Sequence, residues 1–203
     1  MNNTDISRAT LGRLPVYLEY LKSTPSSVEN ISAPSIAKQL NLGEVQVRKD
    51  LSAVCGLGKP RVGYRKSDLI TAIERYIGCT TPQSVIVVGA GKLGKAILEH
   101  DGFSDYGLEI TAAFDVDPKT FRAGKSGKDI YALSELQSYC ARQGVAIAIL
   151  TVPPSQCQSA CDAIVAAGIK RILNFSQVKP RVPSGVIVEQ VNLALALAHL
   201  KYA

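Results

Sequence analysis

The run SVIVVGAGKLGKAILEH, residues 84–100, narrows what this chain can fold into more than any other stretch. Residues 85–88 are apolar without alternation, so a strand there has to be covered on both faces, as in a parallel sheet flanked by helices. Gly89, Gly91 and Gly94 follow as G-x-G-x-x-G, and the apolar spacing after them predicts a helix. Further short apolar runs at EITAAFDVD, VAIAILTVP, KRILNFS and GVIVEQV alternate with helical stretches near residues 134–142 and 155–167. That alternation predicts an α/β unit with a doubly wound parallel sheet, the Rossmann arrangement, over residues 81–203.

A G-x-G-x-x-G by itself also fits a plain structural turn, and the context decides. Between a strand and a helix, the first glycine permits the tight turn, the second lets backbone N–H groups approach a pyrophosphate, and the third lets helix and strand pack closely. The helix N-terminus adds a positive dipole end for the anion. Gly89, Ala90, Gly91, Lys92, Leu93 and Gly94 are therefore candidate cofactor-binding residues. Asp115 stands 21 residues after Gly94 at the end of the next strand, where a carboxylate accepts hydrogen bonds from an adenosine ribose. A carboxylate there repels a 2′-phosphate, which favours NAD(H), although Lys119 and Arg122 nearby weaken the exclusion of NADP. Asp117 is a second candidate, with capping of the turn at Pro118 as its alternative role. Thr151, Val152 and Pro153 end a further strand at the carboxyl edge, where such sheets bind ligands.

Residues 1–80 have a different texture. Leu11, Leu14, Leu18 and Leu21 repeat at helical spacing, with Pro15 expected to start a new turn or bend the axis. In ISAPSIAKQLNL, Ser32 caps a short helix with Pro34 in its first turn, and Asn41 and Gly43 then turn the chain into GEVQVRKDLSAV. Val47, Leu51 and Val54 mark the inner face of that second helix. Two short helices around a glycine turn form a helix-turn-helix, whose second helix enters the DNA major groove. GLGKPRVGY reads as a hairpin wing with Lys59 and Arg61 at its tip, and Ser67 is expected to cap a last helix that stops at Gly78. Gln46, Arg48, Lys49 and Ser52, with Lys59 and Arg61, are the candidate DNA-binding residues, Gln46 and Arg48 standing early enough to read base edges. Residues 45–66 carry six basic side chains against one acidic, the electrostatic footprint of a phosphate-backbone binder.

Several classes are excluded. No segment reaches the roughly 18 apolar residues that would cross a membrane, and MNNTDISRAT lacks a signal-peptide pattern, so a cytoplasmic location is expected. Five cysteines without a CxxC pair and two distant histidines give no support for a disulfide framework or a metal site. The thiols are expected to be reduced, with Cys157 and Cys161 packed on one helix and redox sensing by their oxidation as the alternative role. FRAGKSGKD, residues 121–129, is expected to be a mobile loop.

SRATLGRLPVYLEYL, QVRKDLS, GKPRVGY, VVGAGKLGKAIL, AAFDVDP, AIAILTVP and ILNFSQV occur in this order along nearly the whole chain. In these motifs the chain resembles the Rex family of redox-sensing transcriptional repressors. The resemblance implies a winged-helix domain over residues 1–80, a Rossmann domain over 81–203 and no enzymatic activity. It also implies a homodimer on palindromic operator DNA that lets go when NADH binds, and a C-terminal helix exchanged between subunits. VNLALALAHLKYA fits that last point: its period-two alternation also suits a strand, but Ala and Leu favour a helix, and one apolar on nearly every side has to be buried by protein. Departures from the family pattern are Lys92 for the usual Asn, His100 for a frequent Tyr, Asn192 for the usual Asp, and SAVCGLG for a more aromatic segment. With Asn192 uncharged, the chain is expected to separate NADH from NAD+ less sharply. The rivals are an NAD-dependent dehydrogenase, for which no chain remains to form a substrate domain, and a Rossmann module binding coenzyme A or another nucleotide.

Overall fold

Ser7 opens the first helix, α1 (Arg8–Ser23), by accepting a hydrogen bond from the Thr10 N–H at 3.1 Å. The computed structural model describes residues 6–79, 81–121 and 128–201, and the chain divides into two units between Thr81 and Pro82. In the first unit α1 is followed by β1 (Asn30–Ile31), α2 (Ala33–Gln39), α3 (Glu44–Cys55), β2 (Tyr64–Arg65) and α4 (Lys66–Ile77). Leu14, Tyr17, Leu18 and Leu21 of α1 pack with Ile36, Val47, Leu51, Leu69 and Ile73 into one core. Ser32 caps α2 as expected, and the turn into α3 is made by Asn41 in a left-handed conformation, φ 51°.

Three local expectations need correction. Pro15 does not start a new helix: it has no N–H to bond the Leu11 carbonyl, yet α1 continues through it, with buried side chains on either side holding the helix to the core. Leu11 is not part of that core and is 37 % exposed. Ser67 does not cap α4, which begins one residue earlier: the Lys66 N–H donates to the Glu29 carbonyl at 2.8 Å and its ammonium to Thr24 and Pro25 carbonyls, fixing Lys66 as the first helical residue. The wing is a tight hairpin in which Lys59 and Gly63 exchange backbone hydrogen bonds of 2.8 and 2.9 Å. Its returning Tyr64 then pairs with Ile31 of β1.

The second unit contains β3 (Gln83–Val88), α5 (Lys92–Leu98), β4 (Leu108–Asp115), β5 (Ile130–Ala132), α6 (Leu136–Gln143), β6 (Ile147–Leu150), α7 (Cys157–Ala166), β7 (Arg171–Asn174), β8 (Ile187–Gln190) and α8 (Leu193–His199). All strands pair in parallel in the order β5-β4-β3-β6-β7-β8, the doubly wound arrangement with its reversal point between β3 and β6. Ile86 and Val88 point into one core with Phe114, Leu150 and Ile164, while Val85 and Val87 point into another with Leu98 and Ile110. Burial on both faces explains the unbroken apolar run of β3. β5 escapes sequence reading because three residues carry too short a pattern. The expected loop at residues 121–129 has its centre, 122–127 with Arg122, outside the described residues.

Inside the first unit lies a polar cluster that the sequence does not announce. Asp50 of α3, 4 % exposed, accepts hydrogen bonds from Arg13 Nε at 2.7 Å and Nη2 at 2.9 Å, the Tyr17 hydroxyl at 2.7 Å and the Thr10 hydroxyl at 2.9 Å. Burial pushes its carboxyl up, but the hydrogen bonds from Arg13, Tyr17 and Thr10 and the guanidinium charge outweigh it and hold the group below its ordinary value. Tyr17 is pushed up to about 12, by burial first and then by Asp50, so its hydroxyl stays a donor. A carboxyl lowered by folding stabilises the fold above the unfolded value of about 4 and loses that contribution as pH falls from there through the folded value. Asp50→Ala, which leaves Arg13 and Tyr17 without their acceptor, is expected to cost the first unit about 3 kcal/mol at pH 7. Urea denaturation followed by circular dichroism should show this deficit shrinking below pH 4; a deficit independent of pH would contradict the assignment.

Candidate functional site

The carboxyl ends of β3, β4 and β6 enclose a cavity of about 660 Å³, a size that suits a small-molecule or cofactor ligand. Of the residues singled out in the sequence, Gly89, Gly91, Asp115, Asp117, Thr151, Val152 and Pro153 line it. Ala90 and Gly94 are buried behind the loop, and Lys92 and Leu93 are exposed on the first turn of α5. The lining also includes Val116, Thr120, Leu133, Gln156 and Ser159, which the sequence reading missed. Gln156 and Ser159 had a usable signal, for the start of α7 follows β6 across a short turn just as α5 follows β3.

The loop is held in shape by close contacts. Gly94 sits so near the chain that a Cβ there would lie 1.9 Å from the Gly89 carbonyl oxygen, so only glycine lets α5 approach. The Thr151 hydroxyl donates to that same carbonyl at 2.6 Å and thereby ties β6 to the loop. Gly91 differs: a Cβ there meets nothing within 4 Å, and its φ of −69° is open to any residue. The space beside it is room for a ligand. Asp115 accepts from the Ala90 N–H at 2.5 Å and from the Asp117 N–H at 2.9 Å, one bond to each oxygen. A carboxylate has about four acceptor positions, so hydroxyls of a ligand still find partners. Asp117 caps the turn at Pro118 by accepting from the Lys119 N–H at 3.0 Å, while also lining the cavity.

In the first unit α3 buries Val47, Asp50, Leu51 and Val54, so Val45, Arg48, Lys49 and Ser52 share the opposite face. Arg48, Lys59 and Arg61 line one groove between α3 and the wing. Arg48 is ion-paired with Glu44 one turn back. Gln46 and Lys49 border a second concavity with Arg13, and with its amide oxygen turned toward the guanidinium Gln46 accepts from Arg13 Nη1 at 3.2 Å. Ser52 lines neither groove and donates to the Lys49 carbonyl at 2.9 Å. Arg61 takes φ 63° at the wing tip, a left-handed backbone that costs a non-glycine residue about 1–2 kcal/mol.

The remaining sequence features fall away from both sites. His100 packs edge-on against Phe103, and Asn192 caps α8 by accepting from the Leu195 N–H at 2.9 Å. All five cysteines are free thiols. Burial pushes Cys161 up to about 11, aided by Asp162 and Cys157, and raises Cys55, Cys79 and Cys140 as well, which makes these thiols poor nucleophiles. Among the described residues no cluster could hold a metal ion and no helix is long and apolar enough to cross a membrane.

A winged helix-turn-helix unit followed by a Rossmann unit with a nucleotide-sized cavity defines a class, the ligand-responsive DNA-binding regulators. Residues 5–52 match the model described as "Putative DNA-binding protein N-terminus", and residues 80–178 match the model described as "CoA binding domain". The redox-sensing transcriptional repressor Rex of Treponema denticola is 43% identical over 93% of this chain and 90% of its own length. Rex of Porphyromonas gingivalis is 38% identical over 97% of this chain and 90% of its own. RSP, crystallised in complex with β-NAD+ and operator DNA, superposes with a TM-score of 0.89 at 30% identity, covering 98% of this chain and 93% of that one. RSP in complex with β-NADH gives 0.85 at 29%, with 98% and 94% covered. The chain belongs to the Rex family of redox-sensing transcriptional repressors. Its relatives are repressors, not enzymes, and the dehydrogenase alternative is set aside.

The two glycines make opposite demands that a thermal melt can separate. Gly91→Ala is expected to leave Tm within about 1 °C of wild type, a surface change worth at most a few tenths of a kcal/mol. Gly94→Ala overpacks the loop and should cost about 1–3 kcal/mol. Equal Tm values for the two variants would show that the contact between α5 and the loop is not tight.

Proposed function

We propose that this chain is a homodimeric, cytoplasmic repressor that binds a palindromic DNA operator, takes NAD(H) in the Rossmann cavity, and leaves the DNA when NADH binds. The observation that carries the reading is the open space at Gly91, beside Asp115 and at the reversal point of the sheet, in a chain whose relatives include one crystallised with NAD+ and operator and again with NADH. A pyrophosphate fits where a Cβ meets nothing, and the free acceptor positions of Asp115 suit the adenosine ribose. Lys49, Arg48, Lys59 and Arg61 supply the positive face for the duplex, the last three around one groove. Palindromic DNA requires two-fold symmetry in its partner. The C-terminal segment supports this requirement, for Leu193, Leu195, Leu197 and Leu200 of α8 and its cap are 53–70 % exposed, and a second copy offers them cover.

NAD+ and NADH share the adenosine and pyrophosphate halves, so the cradle binds both and the nicotinamide end has to discriminate. A ligand shifts a two-state equilibrium only by its differential affinity for the two states, and release therefore requires NADH to prefer the conformation that lets go of DNA. The shallower discrimination expected from an uncharged Asn192 draws no support from the cavity, since Asn192 caps α8 and does not line it. The match to a coenzyme A-binding model supports a second ligand for the same cavity, and one experiment separates them.

A labelled palindromic duplex, selected by the protein from random DNA, is followed by fluorescence anisotropy while NAD+, NADH and coenzyme A are added in turn. NADH should release the duplex and NAD+ should leave it bound, and Gly91→Ala should bind the duplex normally yet need at least tenfold more NADH. Release by coenzyme A alone would overturn the redox reading while keeping the cavity as the control site.

A further inference from the structure

Val45 stands on the DNA-facing side of α3 without a structural reason to be there. It occupies the second helical position, is 67 % exposed, and lies on the stripe of Arg48, Lys49 and Ser52, opposite the buried Val47, Leu51 and Val54. It adds nothing to the core. A β-branched side chain also serves an exposed helix position less well than Ala, Glu or Lys. Its neighbours are polar and anchored: Glu44 pairs with Arg48, and Arg13 holds the amide of Gln46. Val45 is therefore the apolar feature at the end of α3 that enters a major groove first.

We infer that Val45 reads a thymine in the operator through its C5-methyl group. The inference rests on the DNA-binding reading above and specifies what the recognition helix selects. Among the four bases only thymine shows an apolar group at the major-groove edge, and apolar side chains at the start of recognition helices are its natural partners. The basic residues one turn further on draw the duplex to this face: Lys49 shares a concavity with Val45, and Arg48 shares its groove with the wing residues Lys59 and Arg61. Phosphate contacts fix the register of the helix, and the methyl contact supplies a sequence preference that phosphate contacts cannot. Lone exposed valines are common on protein surfaces, so the test has to isolate one methyl group.

The full-length protein selects a duplex from random DNA, and each thymine of that duplex is then replaced singly by deoxyuridine, which removes the methyl and nothing else. At one position in each half-site wild type should bind about fourfold more weakly, the effect of one buried methyl. Val45→Ser should bind the two duplexes within a factor of 1.5 or so of each other, and Val45→Ile should keep the wild-type preference. The dependence of affinity on salt, set by lysine and arginine contacts, should be the same in all three proteins. Insensitivity of wild type to every deoxyuridine, undiminished sensitivity in Val45→Ser, or a changed salt slope in that variant would overturn the inference. Failure to select any duplex would overturn the DNA-binding reading itself, an outcome distinct from the other three.

Discussion

The buried carboxylate of Asp50 is the interaction on which the first unit depends. A charge with 4 % exposure persists only if it is paired, and here Arg13, Tyr17 and Thr10 meet it with four hydrogen bonds from a single helix. A buried pair of this kind adds little net stability over an apolar packing of the same shape, but breaking it is costly. What the cluster supplies is register. It clamps α3 to α1 at one rotation, and that rotation puts Val45, Arg48 and Lys49 on the outer face. Arg13 extends the clamp to the Gln46 amide, so the first turn of α3 is held from the side as well as from below.

A comparable constraint governs the second unit, with backbone in place of charge. Gly94 and Thr151 both meet the Gly89 carbonyl, so the end of β3, the start of α5 and the end of β6 are held around one atom. Asp115 adds the end of β4 through the Ala90 N–H. The loop is thus preformed, with its open side at Gly91. Preorganisation of this kind lowers the ordering cost of binding, which suits a sensor that has to register a ligand and not transform it.

Much of this was legible in the sequence because it follows from local rules. The apolar run of β3, the glycine spacing and the Ser32–Pro34 start of α2 each express a requirement met within a few residues. Asp50 was not legible in the same way. Its partners lie 33 to 40 positions away on α1, and in QVRKDLS it looks like one more surface charge on a polar helix. Ser67 misled for a related reason, since a good capping residue lost to the long-range bonds of Lys66. Gln156 and Ser159 are an intermediate case: their place just after β6 is readable locally, but the sheet order that sets β6 beside β3 is what brings them to the cavity.

If Asp50 acts by setting the rotation of α3, its loss should weaken DNA recognition and leave the other unit alone. Affinities for the selected operator and for NADH, measured on full-length Asp50→Asn at a temperature where circular dichroism shows it folded, test this directly. Operator affinity should fall at least tenfold while NADH affinity stays within about twofold of wild type, a tenfold loss corresponding to about 1.4 kcal/mol. Unchanged operator affinity in the folded variant would contradict the clamp.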